Sequence, residues 1–336
     1  MTDATVDHEG TLDPEELVIR VGLDDEGLLD GPVPLIVVDL GRGDLTQLGD
    51  STLGSLPAVV VGVGASGHYA PSAVDLIAPD EMTVELVRAT VASAPRASVA
   101  LALLLRGAAT RSIDEALVAE SSTYSMLQSG PEFASWRSTR PRRPISEDEE
   151  PPVRWWVDGD TVHVRLNRPE RHNAVSSQLR DHLMEPLRFA LADPALRIVL
   201  AGEGPSFSSG GDLDEFGTFT DPASAHLVRL TRSPARLLAR LGDRTEAHVH
   251  GACLGAGVEW ASLCGRVVAR RDAVFGLPEV QLGLIPGAGG TASMPARIGR
   301  HLTARLALTG ERIDAVTAHR WGLVDELIDE REQDVE

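Results

Sequence analysis

The sequence predicts an α/β protein, and three observations carry that expectation. Short runs rich in β-branched residues alternate with longer amphipathic runs of helical period, the pattern of strands connected through helices. The connections in the second half concentrate in glycine-rich turns. The composition, 43% hydrophobic with 32 glycines in 336 residues, is that of a packed globular protein and excludes a disordered or collagen-like chain.

Taken in order, residues 1–33 are expected to form an acidic arm. Residues 34–39 and 58–63, Pro-Leu-Ile-Val-Val-Asp and Ala-Val-Val-Val-Gly-Val, read as buried strands. Residues 82–95 and 97–106 have helical patterns broken around Pro95. Residues 113–128 continue as a helix with Ile113, Leu117, Glu120 and Tyr124 on one side, and Gly130-Pro131 ends it. The segment 34–139 thus forms a first strand-and-helix region. Residues 140–152 carry several prolines and a four-residue acidic run, which predicts a linker. A second folded unit is expected over 153–330. Its elements are a hairpin around Asp158-Gly159, a helix over 174–192, a strand at 197–201 and a Gly/Ser-rich loop at 202–212. A helix over 222–240, a strand at 247–250, a helix over 256–264 and strands near 267–270 and 273–276 follow. Gly159 supplies the positive φ that a tight hairpin turn favours.

Charge and residue usage exclude several functions. Acidic residues number 50 and basic ones 31, for a net charge of −19. Such a field repels nucleic acids and anionic membranes. Every basic residue is arginine, so a Schiff base, a P-loop lysine or a lysine general base is excluded. No apolar run reaches about 18 residues, so no membrane span is expected. The acidic start lacks the apolar stretch of a secretory signal. Cys253 and Cys264 are too few for a disulfide framework or a zinc site, which points to a cytoplasmic protein without a metal. His248 and His250 share one strand face, but no third ligand accompanies them, and both read as structural.

Three turns carry the chemistry. They are Phe207-Ser-Ser-Gly-Gly-Asp-Leu-Asp214, His250-Gly-Ala-Cys-Leu-Gly-Ala-Gly-Val-Glu259, and Phe275-Gly-Leu-Pro-Glu279 with its continuation to Gly290. Small residues let a backbone approach a ligand closely, and a turn that opens a helix leaves free N–H groups for an oxyanion. Glu259 and Glu279 lie beside these turns. Gly255-Ala256-Gly257 lacks the spacing of a dinucleotide fingerprint.

Together the three turns resemble the crotonase (enoyl-CoA hydratase/isomerase) family. The likeness takes in Leu166-Asn-Arg-Pro-Glu-Arg-His-Asn-Ala174 and extends through Leu308–Ala315 to Trp321-Gly-Leu-Val-Asp325. It implies a crotonase-like spiral of β-β-α turns with accessory helices. It implies an acyl-CoA thioester substrate, with CoA as part of the substrate and no separate cofactor. The thioester oxygen would be held by the backbone N–H groups of Gly211 and Ala256; the second position is usually glycine, and alanine keeps the donor. Glu259 and Glu279 fill both acid–base positions of the hydratases. Substrate or CoA contacts are expected from Arg168, Arg171, Ser209, Asp212 and Leu213. A cytoplasmic homo-oligomer, trimer or hexamer, is implied as well. The expected activity is enoyl-CoA hydration, with a Δ3-Δ2 enoyl-CoA isomerase or a non-catalytic acyl-CoA-binding subunit as alternatives.

Residues 83–141 resemble the helical tail that crotonases carry after the Gly-Leu-Val-Asp segment. Ala92–Arg106 looks like its small-residue, proline and helix stretch, and Glu120–Trp136 like its final helix. Two arrangements fit: a circularly permuted crotonase with its tail encoded first, or a degenerate crotonase half fused upstream, with residues 34–80 as its remaining strands.

Overall fold

A computed structural model describes residues 11–22, 33–42, 54–64, 72–141, 150–219 and 221–329. The chain opens with β1 (Thr11–Leu12), α1 (Pro14–Gly22), β2 (Leu35–Asp39), β3 (Val59–Val63) and β4 (Leu76–Ile77). The four strands pair in chain order as a parallel sheet. The two-residue strand period divides the side chains between two cores. Val37, Val59 and Val61 join the main core, whereas Ile36, Val38 and Val60 pack with Leu17 of α1. Part of the expected acidic arm is thus ordered. Glu15 and Glu16 stand in the first turn of α1, where the helix dipole favours negative charge, and Leu17 is fully buried. The rest of the arm, residues 1–10 and 23–32, lies outside the described residues, as do residues 142–149 of the expected linker.

Four helices follow: α2 (Glu81–Ser93), α3 (Pro95–Arg106), α4 (Ile113–Gln128) and α5 (Pro131–Ser138). Their boundaries have local causes. Asp80 caps α2 by accepting from the Thr83 N–H at 2.8 Å. Pro95 and Pro131 occupy the first turns of α3 and α5, where a missing N–H costs nothing. Ser112 and Glu115 form a capping box on α4. Arg106 at the end of α3 ties this layer to the first sheet through a buried ion pair with Asp75 at 2.7 Å.

The second half is the crotonase-like spiral. The hairpin β5 (Val153–Asp158) and β6 (Thr161–Leu166) turns at Gly159, φ +59°. Then come α6 (Ser177–Ala192), β7 (Arg197–Gly202), α7 (Pro222–Thr231), α8 (Pro234–Leu241), β8 (Thr245–Val249), β9 (Ala252–Leu254) and α9 (Ala256–Leu263). After these stand β10 (Arg266–Arg270), β11 (Val274–Gly276), α10 (Gly290–Thr309), β12 (Ile313–Asp314), α11 (Ala315–Trp321) and β13 (Glu326–Ile328). The main sheet has the order β13-β10-β8-β7-β6-β5, and a small sheet has the order β12-β11-β9. Two successive turns of the spiral lay one strand in the main sheet, the next in the small sheet, and close with a helix: β8-β9-α9, then β10-β11-α10. The single helix expected over 222–240 is two. Pro234 disfavours helical backbone at Ser233, and the Ser233 hydroxyl caps α8 by accepting from the Arg236 N–H at 3.2 Å.

The two halves share one core. Val87, Leu101 and Leu105 of the first half belong to the same apolar cluster as Val258, Met294 and Leu306 of the second. α2, α3 and α4 all pack on α10, and α4 lies along α7. That contact brings residues of the first half to the site.

Candidate active site

The first two turns are held edge to edge by backbone bonds. Ser208 N–H donates to Ala252 O, and Leu254 N–H donates to Ser208 O, both at 2.9 Å. A third strand of chain braces them from outside. Ser209 N–H donates to His172 O, Val175 N–H to Gly210 O and Asp212 N–H to Val175 O, at 2.8–2.9 Å. His172 and Asn173 take left-handed φ values of 51° and 52° to make this crossing. The result places Gly211, and Ala256 at the first turn of α9, on the wall of one cavity of about 620 Å³. Neither N–H has an acceptor among the described residues. Gly255 just before α9 has φ +49°, and a Cβ there would stand 2.3 Å from Glu279 Oε1, so the position requires glycine on both counts.

Glu259 and Glu279 line the same cavity. All eight residues of α9 are buried, so Glu259 is a carboxyl on a helix with no wet face. Its Oε2 accepts from the Ala288 and Gly290 N–H groups, both at 2.7 Å. Glu279 stands after Pro278, just beyond β11, with Oε2 buried and without a hydrogen-bond partner among the described residues. Burial disfavours the charged form of both. It raises Glu259 well above the usual carboxylate range, aided by the charges of Glu279 and Glu120. It raises Glu279 to about 8, again with Glu120 contributing.

Glu120 is the residue that sequence reasoning did not place at the site. It comes from α4 and is 2% exposed. Its carboxyl accepts from Gly289 N–H at 2.7 Å, Thr291 N–H at 2.8 Å and the Thr291 hydroxyl at 2.7 Å. The four successive N–H groups at 288–291 therefore go alternately to Glu259 and Glu120. The two carboxylates bracket the turn that opens α10. Burial pushes Glu120 to about 7 against these hydrogen bonds. The signal was present: an acid on the same helical side as Leu117 and Tyr124 must find donors when that side is buried. What the sequence alone does not show is that the donors lie about half the chain away.

Tyr124 and Arg229 complete that wall. A Cβ on Gly287 would stand 2.3 Å from the Tyr124 ring, so glycine lets the ring seat on the turn. The Arg229 guanidinium lies 4.7 Å from the ring centroid.

The expected CoA contacts divide. Asp212 lines the cavity, but Arg168, Arg171, Ser209 and Leu213 do not. Arg168, expected as a CoA contact, is turned into the protein instead. It is 2% exposed, paired with Asp212 at 3.0 Å and bonded to the Ala174 carbonyl. An arginine in a buried bracing segment finds a carboxylate there, because leaving it alone would cost too much. Arg171 reaches Asp214 at 3.3 Å and Asp212 at 3.5 Å. His250 bonds Gly204 O at 2.9 Å, and His248 pairs with Glu246. Both cysteines are buried.

The chain belongs to the enoyl-CoA hydratase/isomerase family, whose model matches residues 159–335. It is 38% identical over 168 residues to the 2,3-dehydroadipyl-CoA hydratase of Escherichia coli (strain K12), covering 49% of this chain and 64% of the relative. It is 32% identical over 174 residues to the putative enoyl-CoA hydratase/isomerase YhaR of Bacillus subtilis (strain 168), covering 52% and 68%. Among solved structures it is similar to Pseudomonas aeruginosa DspI, at a TM-score of 0.50 and 30% identity, covering 56% of this chain and 78% of the other. The match thus spans less than two thirds of the first of these relatives, and about half of this chain.

Proposed function

We propose that the protein is an enoyl-CoA hydratase, adding water across the 2,3 double bond of an enoyl-CoA thioester. The observation that carries the reading is the pair Glu259 and Glu279 in one cavity with the two unclaimed N–H groups of Gly211 and Ala256. Attack of water on C3 forms the C3–O bond and moves the π electrons through C2 onto the thioester oxygen. Two preorganised donors stabilise that charge, each worth roughly 10²–10³ in rate. The proton lost by water goes to one carboxylate, and C2 receives a proton from the other. Glu259 suits the base, because two N–H donors support its charged form. Glu279 suits the acid, because no donor supports charge on its Oε2.

The supporting reading of the first half is that α2–α5 stand where a crotonase tail would stand on the spiral. The packing of α2, α3 and α4 on α10 fits either a permuted tail or the tail of a degenerate upstream copy. A cytoplasmic homo-oligomer, trimer or hexamer, remains part of the proposal.

The test is loss of the conjugated absorbance of crotonyl-CoA on adding the protein. Hydration supports the reading. Turnover of a 3-enoyl-CoA without hydration of crotonyl-CoA would replace it by Δ3-Δ2 isomerisation. Tight acyl-CoA binding with no turnover would replace it by a binding subunit.

A further inference from the structure

The cavity also carries a cation that the hydratase chemistry does not use. Four arginines line the cavity: Arg180, Arg229, Arg232 and Arg236. Three of them have carboxylate partners. Arg180 and Arg232 both pair with Asp181, and Arg236 pairs with Asp114 at 3.0 Å. Arg229 has no carboxylate within ion-pair distance among the described residues. Its contacts are the Ser121 hydroxyl at 3.4 Å, the Ser125 hydroxyl and the Tyr124 ring. These engage its Nε and one Nη2 N–H and leave the rest of the guanidinium fork unclaimed.

Its surroundings make a bound anion favourable. Burial and the neighbouring Arg180 disfavour its charged form, while Glu120 acts on it from beyond ion-pair distance. The Glu120 carboxyl is already engaged by Gly289 and Thr291. Tyr124, over which Arg229 stacks, sits on Gly287, next to the Ala288 N–H that holds Glu259. Arg229 therefore lines the same cavity as the two glutamates, one aromatic ring away from the turn that holds Glu259. A half-buried guanidinium fork without a carboxylate is suited to bidentate recognition of one.

We propose that Arg229 selects acyl-CoA thioesters whose acyl chain ends in a carboxylate. The inference rests on the acyl-CoA reading of the cavity, and its test separates the two. Adipyl-CoA and hexanoyl-CoA have chains of equal length and no double bond, so their affinities for the full chain compare end groups without chemistry. Wild-type protein is expected to bind adipyl-CoA roughly ten- to a hundredfold more tightly, the range for a charged hydrogen-bonded pair. R229M should remove that preference, and R229K, which keeps a point charge without the fork, should keep part of it. Equal wild-type affinities would overturn the proposal without any variant. So would an R229M variant that weakens both esters and free CoA by the same factor, because Arg229 would then be reading the CoA phosphates. Crotonyl-CoA hydration without an adipyl preference would reject this inference and leave the hydratase. An Arg229-dependent adipyl preference without hydration of any enoyl-CoA would do the reverse.

Discussion

Replacing Glu279 by glutamine should make the protein more stable at high pH while removing its acid. Burial lifts this carboxyl from 4.5 to about 8. Between those values the folded protein holds a proton that the unfolded chain has released, so stability falls as pH rises, by about 1.4 kcal/mol per pH unit. The full penalty, about 5 kcal/mol, is reached once pH exceeds about 8, and it vanishes below 4.5. That is a large share of the roughly 5–15 kcal/mol that holds a domain folded. Glutamine has nearly the same shape and carries no charge at any pH, so E279Q should lose this slope. Urea unfolding at a series of pH values measures it directly. The wild-type curve should descend more steeply than the variant's across that window, and the gap should stop growing above about pH 8. Parallel curves for the two proteins would refute the reasoning, because Glu279 would then titrate in the folded state as it does in the unfolded one.

Three further outcomes follow from the same geometry. E259Q and E279Q should each lower kcat roughly 10²–10⁴-fold with little change in KM, and the double variant should be far from additive in steady-state hydration assays. E120A strands the Gly289 and Thr291 N–H groups, which should cost roughly 2–6 kcal/mol in urea unfolding. Its kcat should fall more than its KM rises, because the loosened turn also holds Glu259. G255A forces a Cβ to within 2.3 Å of Glu279 Oε1 at a positive φ, and a displacement of that carboxyl by about 1 Å should cost roughly 10² in kcat; an unchanged kcat would show that Glu279 does not need its seat over Gly255.

What the sequence makes legible is what short-range rules govern. The β-branched runs of β2 and β3, the helix over 113–128 and the hairpin at Gly159 each depend on residues within a few positions, and each stands where the sequence places it. The pairing of the oxyanion turns was legible only through the resemblance, because Ser208 and Ala252 meet across 44 residues of chain and no local pattern encodes that register. Charged side chains marked the limit. Arg168 and Glu120 have the composition of surface residues, and a sequence gives their spacing but not their desolvation. Both are turned inward by elements that arrive from elsewhere, and each then acquires partners that a solvated residue would not need. Glu120 shows the consequence for function. Its three hydrogen bonds span about half the chain, and they close the turn whose other two N–H groups hold Glu259. The helices of the first half are thus bonded directly to the turn that orients a proposed catalytic carboxylate. A spiral without α4 would keep both of its own glutamates, but it would lose the second of the two acceptors that fix the first turn of α10.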